Sequence, residues 1–250
     1  MRVLVGTCGW SAKGGRKNYF KYFEVVEVQE TFYRLPKEET VIRWRREAPE
    51  NFRFILKAWQ GITHPSSSPT WRKSNIKPVP GSEDKYGFFR PTEEVFKSWR
   101  FVKGIAEVLK ANLVIFQTPP SFGYSREHLS NIEAFFSSIE RGKLMLGWEP
   151  RGDWHEHPEE LRALLERLDL IHVVDPLRRD PLRVTDVMYF RLHGLGGREV
   201  NYKYKYTDDD LTKLRNRVKS FLDEAREVYV MFNNVYMFED ALRFKKVLEE

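Results

Sequence analysis

A chain of 250 residues with 41% hydrophobic content can bury a sizeable core, which excludes a disordered chain, a coiled coil and a disulfide-held miniprotein. Its one cysteine, Cys8, has no partner for an internal disulfide and offers no thiol cluster for zinc, so a reducing, cytoplasmic setting is expected. Forty-two basic against thirty-six acidic residues give a net charge of +6 and a pI near 9.2, a mild excess that favours anionic partners if it collects on one face.

The opening MRVLVG carries an apolar run too short for a signal-peptide core or a membrane span, so no membrane association is expected. Short apolar runs then predict strands in chain order: VLVG near the start, followed by 25–28, 52–58, 113–117, 144–149, 170–174, 188–193 and 228–234. Most are continuously apolar and not alternating, the pattern of strands covered on both faces, as parallel strands are. Helical patterns fill the intervals at 36–48, 91–110 and 125–140, then from Pro158, from Thr207, and over the closing FEDALRFKKVLEE. Proline and acids suit the first turn after Pro158, and Thr207 is placed to cap a helix that opens on three aspartates. Eight strands alternating with helices at this length predict a single α/β domain over residues 1–250, a (β/α)8 TIM-type barrel with irregular connectors; an open doubly wound sheet is the competing architecture.

A barrel of this kind carries its active site at the C-terminal ends of the strands, so the polar residues ending each apolar run are the candidates. Glu27 ends the second run and Lys57 the third, Gln117 ends the fourth, and Glu149 with Arg151 ends the fifth. Asp175 follows the sixth, Arg191 and His193 end the seventh, and Asn233 and Asn234 end the eighth. Glu27 sits between valines, and a carboxylate there needs a cation, a proton or a metal; an ion pair with Lys57 or Arg191 is the purely structural alternative. His193 stands before a glycine-rich loop, where an imidazole serves as proton carrier, metal ligand or loop anchor. Cys8, just past the first strand, reads as a small half-buried thiol ahead of a nucleophile. HExxH, Walker A, GxSxG and paired CxxC motifs are missing from the sequence, which removes the main supports of zincin, P-loop and α/β-hydrolase readings.

Two loops on the same expected face combine cations and rings. Residues 60–90 hold Trp71, Tyr86, Phe88 and Phe89 among Arg72, Lys73, Lys77, Lys85 and Arg90, directly after Trp59, and His64 lies early in this stretch. A connector of that length reads as a lid or binding segment, with simple disorder, which its prolines and serines allow, as the alternative. The run GLGGREVNYKYKYT carries Arg198, Lys203 and Lys205 with three tyrosines, and reads either as a phosphate-binding loop or as an edge strand.

GTCGW, VVEVQETFYRLP, FRFILKAWQGITH, GWEPRGDW, MYFRLHG, YKYTDDDL and VYVMFNN occur in an order that resembles the YecE-like family, domain of unknown function 72, along nearly the whole chain. The resemblance implies a TIM-type barrel without an assigned activity. It matches Glu27, Phe32, Tyr33, His64, Glu149, Arg151, Arg191, His193, Gly194, Asn233 and Asn234. It departs at Cys8, Gln29 and Val235, where the family pattern has serine, asparagine and histidine.

The leading functional expectation is a nucleic-acid-processing hydrolase, a metal-assisted DNA endonuclease acting on damaged or single-stranded DNA. Glu27, Glu149 and His193 are its expected catalytic residues, and Glu27, Glu149 and Asp175 the expected ligands of Mg²⁺ or Mn²⁺. Lys57, His64, Arg151, Arg191, Asn233, Asn234, Arg198 and Lys203 are expected to hold phosphate or substrate, and Trp59 and Trp71 to stack a base. DNA is preferred to RNA as partner. The alternatives are a barrel enzyme acting on a small phosphorylated or sugar-like metabolite and a non-catalytic protein that binds a phosphate-bearing ligand.

Overall fold

A computed structural model describes residues 2–197 and 199–250. Eight parallel strands form one sheet: β1 (Arg2–Cys8), β2 (Val25–Val28), β3 (Arg53–Lys57), β4 (Leu113–Gln117), β5 (Met145–Glu149), β6 (Ile171–His172), β7 (Val187–Leu192) and β8 (Glu227–Phe232). Their order, β6-β5-β4-β3-β2-β1-β8-β7, with a parallel bridge between Val174 and Phe190, is that of an α/β TIM-type barrel. The strand expected over 170–174 is reduced to Ile171–His172 with an isolated bridge at Val174, and His172 Nδ1 accepts a hydrogen bond from Leu182 N at 3.0 Å. Among the described residues no helix is long and apolar enough to cross a membrane.

The chain divides into two compact units. The first comprises residues up to 27, 48–53 and 171–250, and contains β1, β6, β7 and β8. β1 runs in register with β8 from Arg2 opposite Glu227 to Thr7 opposite Phe232, and β7 flanks β8 from Val187 to Leu192. β1 also meets β2, with Cys8 opposite Glu27. Gly6 makes that approach possible, because a Cβ there would stand 2.5 Å from the carbonyl oxygen of Val25. The helix Asp208–Lys219 starts as its sequence requires: Thr207 accepts from Asp210 N at 3.1 Å, and the Asp210 carboxylate accepts from Thr207 N at 2.9 Å, a reciprocal capping box.

The second unit comprises residues 28–47 and 54–170. β3, β4 and β5 lie side by side in it, with Lys57 opposite Ile115 and Gln117 opposite Glu149. The helix Glu93–Leu109 buries Val95, Trp99, Val102, Ile105, Ala106 and Leu109, a stripe at three- and four-residue spacing. Phe89, Phe116, Phe135 and Phe136 pack ring against ring with centroids 5.0–5.9 Å apart. Each fully buried aromatic of this kind contributes about 1.5–3 kcal/mol, and the cluster fixes the strands whose ends carry polar groups.

Residues 60–90 are an ordered connector and not an open lid. They contain a short helix, Gln60–Thr63, and two 3-10 turns, Pro69–Lys73 and Glu83–Lys85. Gly87 N donates to Gly61 O at 2.8 Å, and Phe89 N to Ile62 O at 2.9 Å, which ties the end of the connector to its beginning. The run after β7 forms turns, so the edge-strand alternative for its alternating tyrosines does not hold.

Candidate functional site

In the second unit, three neighbouring strands deliver polar side chains from their C-terminal ends. Lys57 closes β3, is buried, and donates from Nζ to Gln117 Oε1 at 3.0 Å. Its ammonium lies 4.0 Å from the ring centre of Phe32, and its main-chain oxygen accepts from Thr31 at 2.7 Å. Glu149 closes β5 and pairs with the Arg151 guanidinium, both groups being buried. Arg151 N donates to Thr118 Oγ1 at 3.3 Å, which holds the turn after β5 against the end of β4.

His64 is buried in the same unit, its Nδ1 2.8 Å from Thr63 Oγ1 and its ring 4.9 Å from Phe32. Burial, and secondarily the charge of Lys57, push its pKa down to about 3. This imidazole is therefore neutral near pH 7, a hydrogen-bonding group and not a cation for phosphate. The charged groups at these strand ends are Lys57 on β3, and Glu149 with Arg151 at the end of β5.

The rings expected to stack a base point inward. Trp59 and Trp71 are buried, with centroids 5.4 Å apart, and Tyr86 packs on Trp71 at 5.3 Å. The Trp71 indole donates to His64 O at 3.2 Å. The connector is apolar enough to need its own small core, and the tryptophans supply it instead of facing solvent.

In the first unit, Glu27 and Arg191 are both 0% exposed and meet at 3.0 Å. Glu27 Oε2 also accepts from the Tyr189 hydroxyl at 2.7 Å. Tyr189 and Arg191 are two residues apart on β7, so the strand pleat turns both toward the carboxylate. Burial, and then the nearby Glu27 charge, raise the Tyr189 pKa well above its ordinary value, which keeps the phenol protonated and donating. Tyr189 was not a sequence candidate, although its period-two spacing from Arg191 was a readable signal.

His193 Nδ1 lies 3.1 Å from Asn233 Nδ2. With the amide as donor, Nδ1 accepts and the ring carries its proton on Nε2. Asn234 donates to Tyr204 O at 2.8 Å and to the buried Asp240 carboxylate at 2.7 Å, which makes it a loop tie. Asp175 accepts at Oδ1 from Leu177 N at 3.0 Å, and its Oδ2 is 3.7 Å from Arg178 Nε. Lys203 is exposed, and Arg198 lies outside the described residues.

Mg²⁺ and Mn²⁺ require several converging oxygen ligands. Glu27, Glu149 and Asp175 are instead engaged by Arg191 with Tyr189, by Arg151, and by Leu177 with Arg178. Among the described residues no group of three or more His, Cys, Asp or Glu side chains is placed to hold a metal ion. The expected donor set does not fit a divalent cation.

The family model described as "Protein of unknown function DUF72" matches residues 4–250. The chain belongs to the DUF72 family. Along this DUF72 chain, UPF0759 protein YunF of Bacillus subtilis is 26% identical over 99% of the chain and 94% of its own length. A DUF72 family protein of Thermotoga maritima, 25% identical, superposes with a TM-score of 0.72 over 100% of both chains. Endonuclease IV of Thermus thermophilus superposes with a TM-score of 0.55 at 14% identity, covering 100% of this chain and 99% of its own, a likeness of fold alone.

Proposed function

We propose that this DUF72 chain is a phosphoester hydrolase in which Lys57 and Arg151 receive a phosphate group of the substrate and Glu149 handles the proton. The observation that carries the reading is the burial of Lys57 at the end of β3 and of Arg151 after β5, the latter paired with Glu149, with an uncharged His64 in the same unit. Removed from bulk water, such cations attract an anion far more strongly than surface charges do. The guanidinium of Arg151 suits two phosphate oxygens at once, and Lys57 adds a point charge.

A bound phosphate competes with Glu149 for Arg151. The carboxylate released in this way takes the proton of a water whose oxygen bonds to phosphorus, while the bond from phosphorus to the leaving oxygen breaks and that oxygen is protonated from solvent. In the first unit, Glu27 serves as the charge partner that orients Arg191, and His193 as a donor through Nε2.

DNA is the first substrate class of this reading, cleaved as by an endonuclease; the net charge of +6 supports a polyanionic partner. A small phosphorylated or sugar-like metabolite is the second, favoured by the burial of both cations and the inward packing of Trp59 and Trp71. The single cysteine suits action in a reducing cytoplasm.

The test incubates the purified chain with labelled single-stranded, duplex and base-damaged DNA and with a panel of phosphate monoesters, each with Mg²⁺, Mn²⁺ or chelator. Turnover that Glu149→Gln abolishes while binding persists is the expected result. Binding without turnover makes the chain a phosphate-ligand binding protein, and failure of both contradicts the reading.

A further inference from the structure

Large apolar side chains with substantial exposure gather at one end of the first unit. Val235 is 68% exposed, Tyr202 46%, Tyr236 39% and Val200 37%. Chain connectivity and one backbone bond make them a single patch: Val235 N donates to Tyr202 O at 2.7 Å, Tyr236 follows directly, and Val200 is two residues before Tyr202. The patch is framed by cations. Lys203 is exposed, and Lys205 Nζ lies 5.3 Å from the ring centre of Tyr236 and 3.3 Å from Glu239. Asn201 N donates to His193 O at 2.8 Å, and the ring of His193 is 6.0 Å from that of Tyr202, so the patch borders the imidazole.

Partly exposed tyrosine rings beside lysines suit a partner that offers flat rings and anions together. We infer that this patch is a platform for single-stranded nucleic acid, on which bases stack against Tyr202 and Tyr236 while Lys203 and Lys205 meet the phosphates. A duplex keeps its base faces inside the stack, so the surface reads a single strand in preference to a double one. The inference deepens the nucleic-acid reading of the function, yet it concerns residues other than Lys57, Arg151 and Glu149.

The test measures binding of a fluorescein-labelled oligothymidylate by anisotropy over a salt series, with wild type, Tyr202→Ala, Tyr236→Ala, Lys203→Ala with Lys205→Ala, and Lys57→Met. Each tyrosine variant is expected to lose about 5- to 150-fold in affinity, and the double lysine variant to flatten the log–log salt slope by roughly 1.4. Lys57→Met reports separately on the hydrolase reading, which can fail in a turnover assay while the tyrosine effects stand. Absence of wild-type binding, affinity unchanged in both tyrosine variants, or equal affinity for the matched duplex overturns the inference. So does a concentration-dependent dimer in sedimentation that the tyrosine variants abolish, since a second copy of the chain would then cover the patch.

Discussion

Glu27 on β2 and Arg191 on β7 form an ion pair at 3.0 Å with neither side chain exposed to solvent. A pair at that depth offsets a large desolvation cost only while both charges are present, so removing one leaves the other stranded. Glu27→Leu and Arg191→Met are each expected to cost about 3–5 kcal/mol in urea denaturation, and the double variant markedly less than their sum. Additive losses in the double variant contradict the pairing.

The imidazole of His64 is buried neutral, with its pKa pushed down to about 3 against an ordinary value of 6.5. The unfolded chain therefore binds a proton on His64 that the folded chain refuses between those values, and stability falls as pH drops from about 6.5 toward 3. His64→Gln is expected to flatten the stability profile across that window. An NMR titration of the His64 ring with a midpoint near 6.5 in the folded protein excludes the account of its environment.

Gly194 adopts φ +81°, and a Cβ there would stand 2.1 Å from the carbonyl oxygen of Asn201. Its NH donates to the Tyr206 hydroxyl at 2.8 Å, in the loop that follows His193. Gly194→Ala is expected to destabilise by more than about 1 kcal/mol and to shift the His193 ring resonances. A variant with unchanged stability and an unchanged spectrum shows that the loop does not depend on this conformation.

Thr207 caps its helix reciprocally with Asp210. Thr207→Ala is expected to lower stability by about 1 kcal/mol, and Thr207→Ser to restore most of it, as read from denaturation midpoints. Equal loss in both would assign the effect to the methyl group and not to the cap.

The strand plan was legible because each strand is a short run of buried apolar residues punctuated by helix starts. LVIFQ became β4, and Thr207 became a cap by local chemistry alone. Side-chain direction across the fold was less legible. The inward turn of Trp59 and Trp71 depends on Tyr86 and the main chain of His64, partners that no local pattern identifies. The pairing of Glu27 with Arg191, one of the two cations the sequence offered, depends on residues 164 positions apart meeting within the sheet. The arginines beside the other two expected metal ligands are sequence neighbours, Arg151 two residues after Glu149 and Arg178 three after Asp175, so those contacts were within reach of a local reading.

Lys57 and Arg151 as receivers of phosphate are the centre of the account, and calorimetric titration of inorganic phosphate into the protein tests them most directly. Lys57→Met keeps an apolar stem of similar length, and circular dichroism verifies its fold before the comparison. Saturable binding at one site, weakened by salt and at least tenfold weaker in Lys57→Met, is the predicted result. No heat of binding in the wild type, or the same affinity in a folded Lys57→Met, contradicts it.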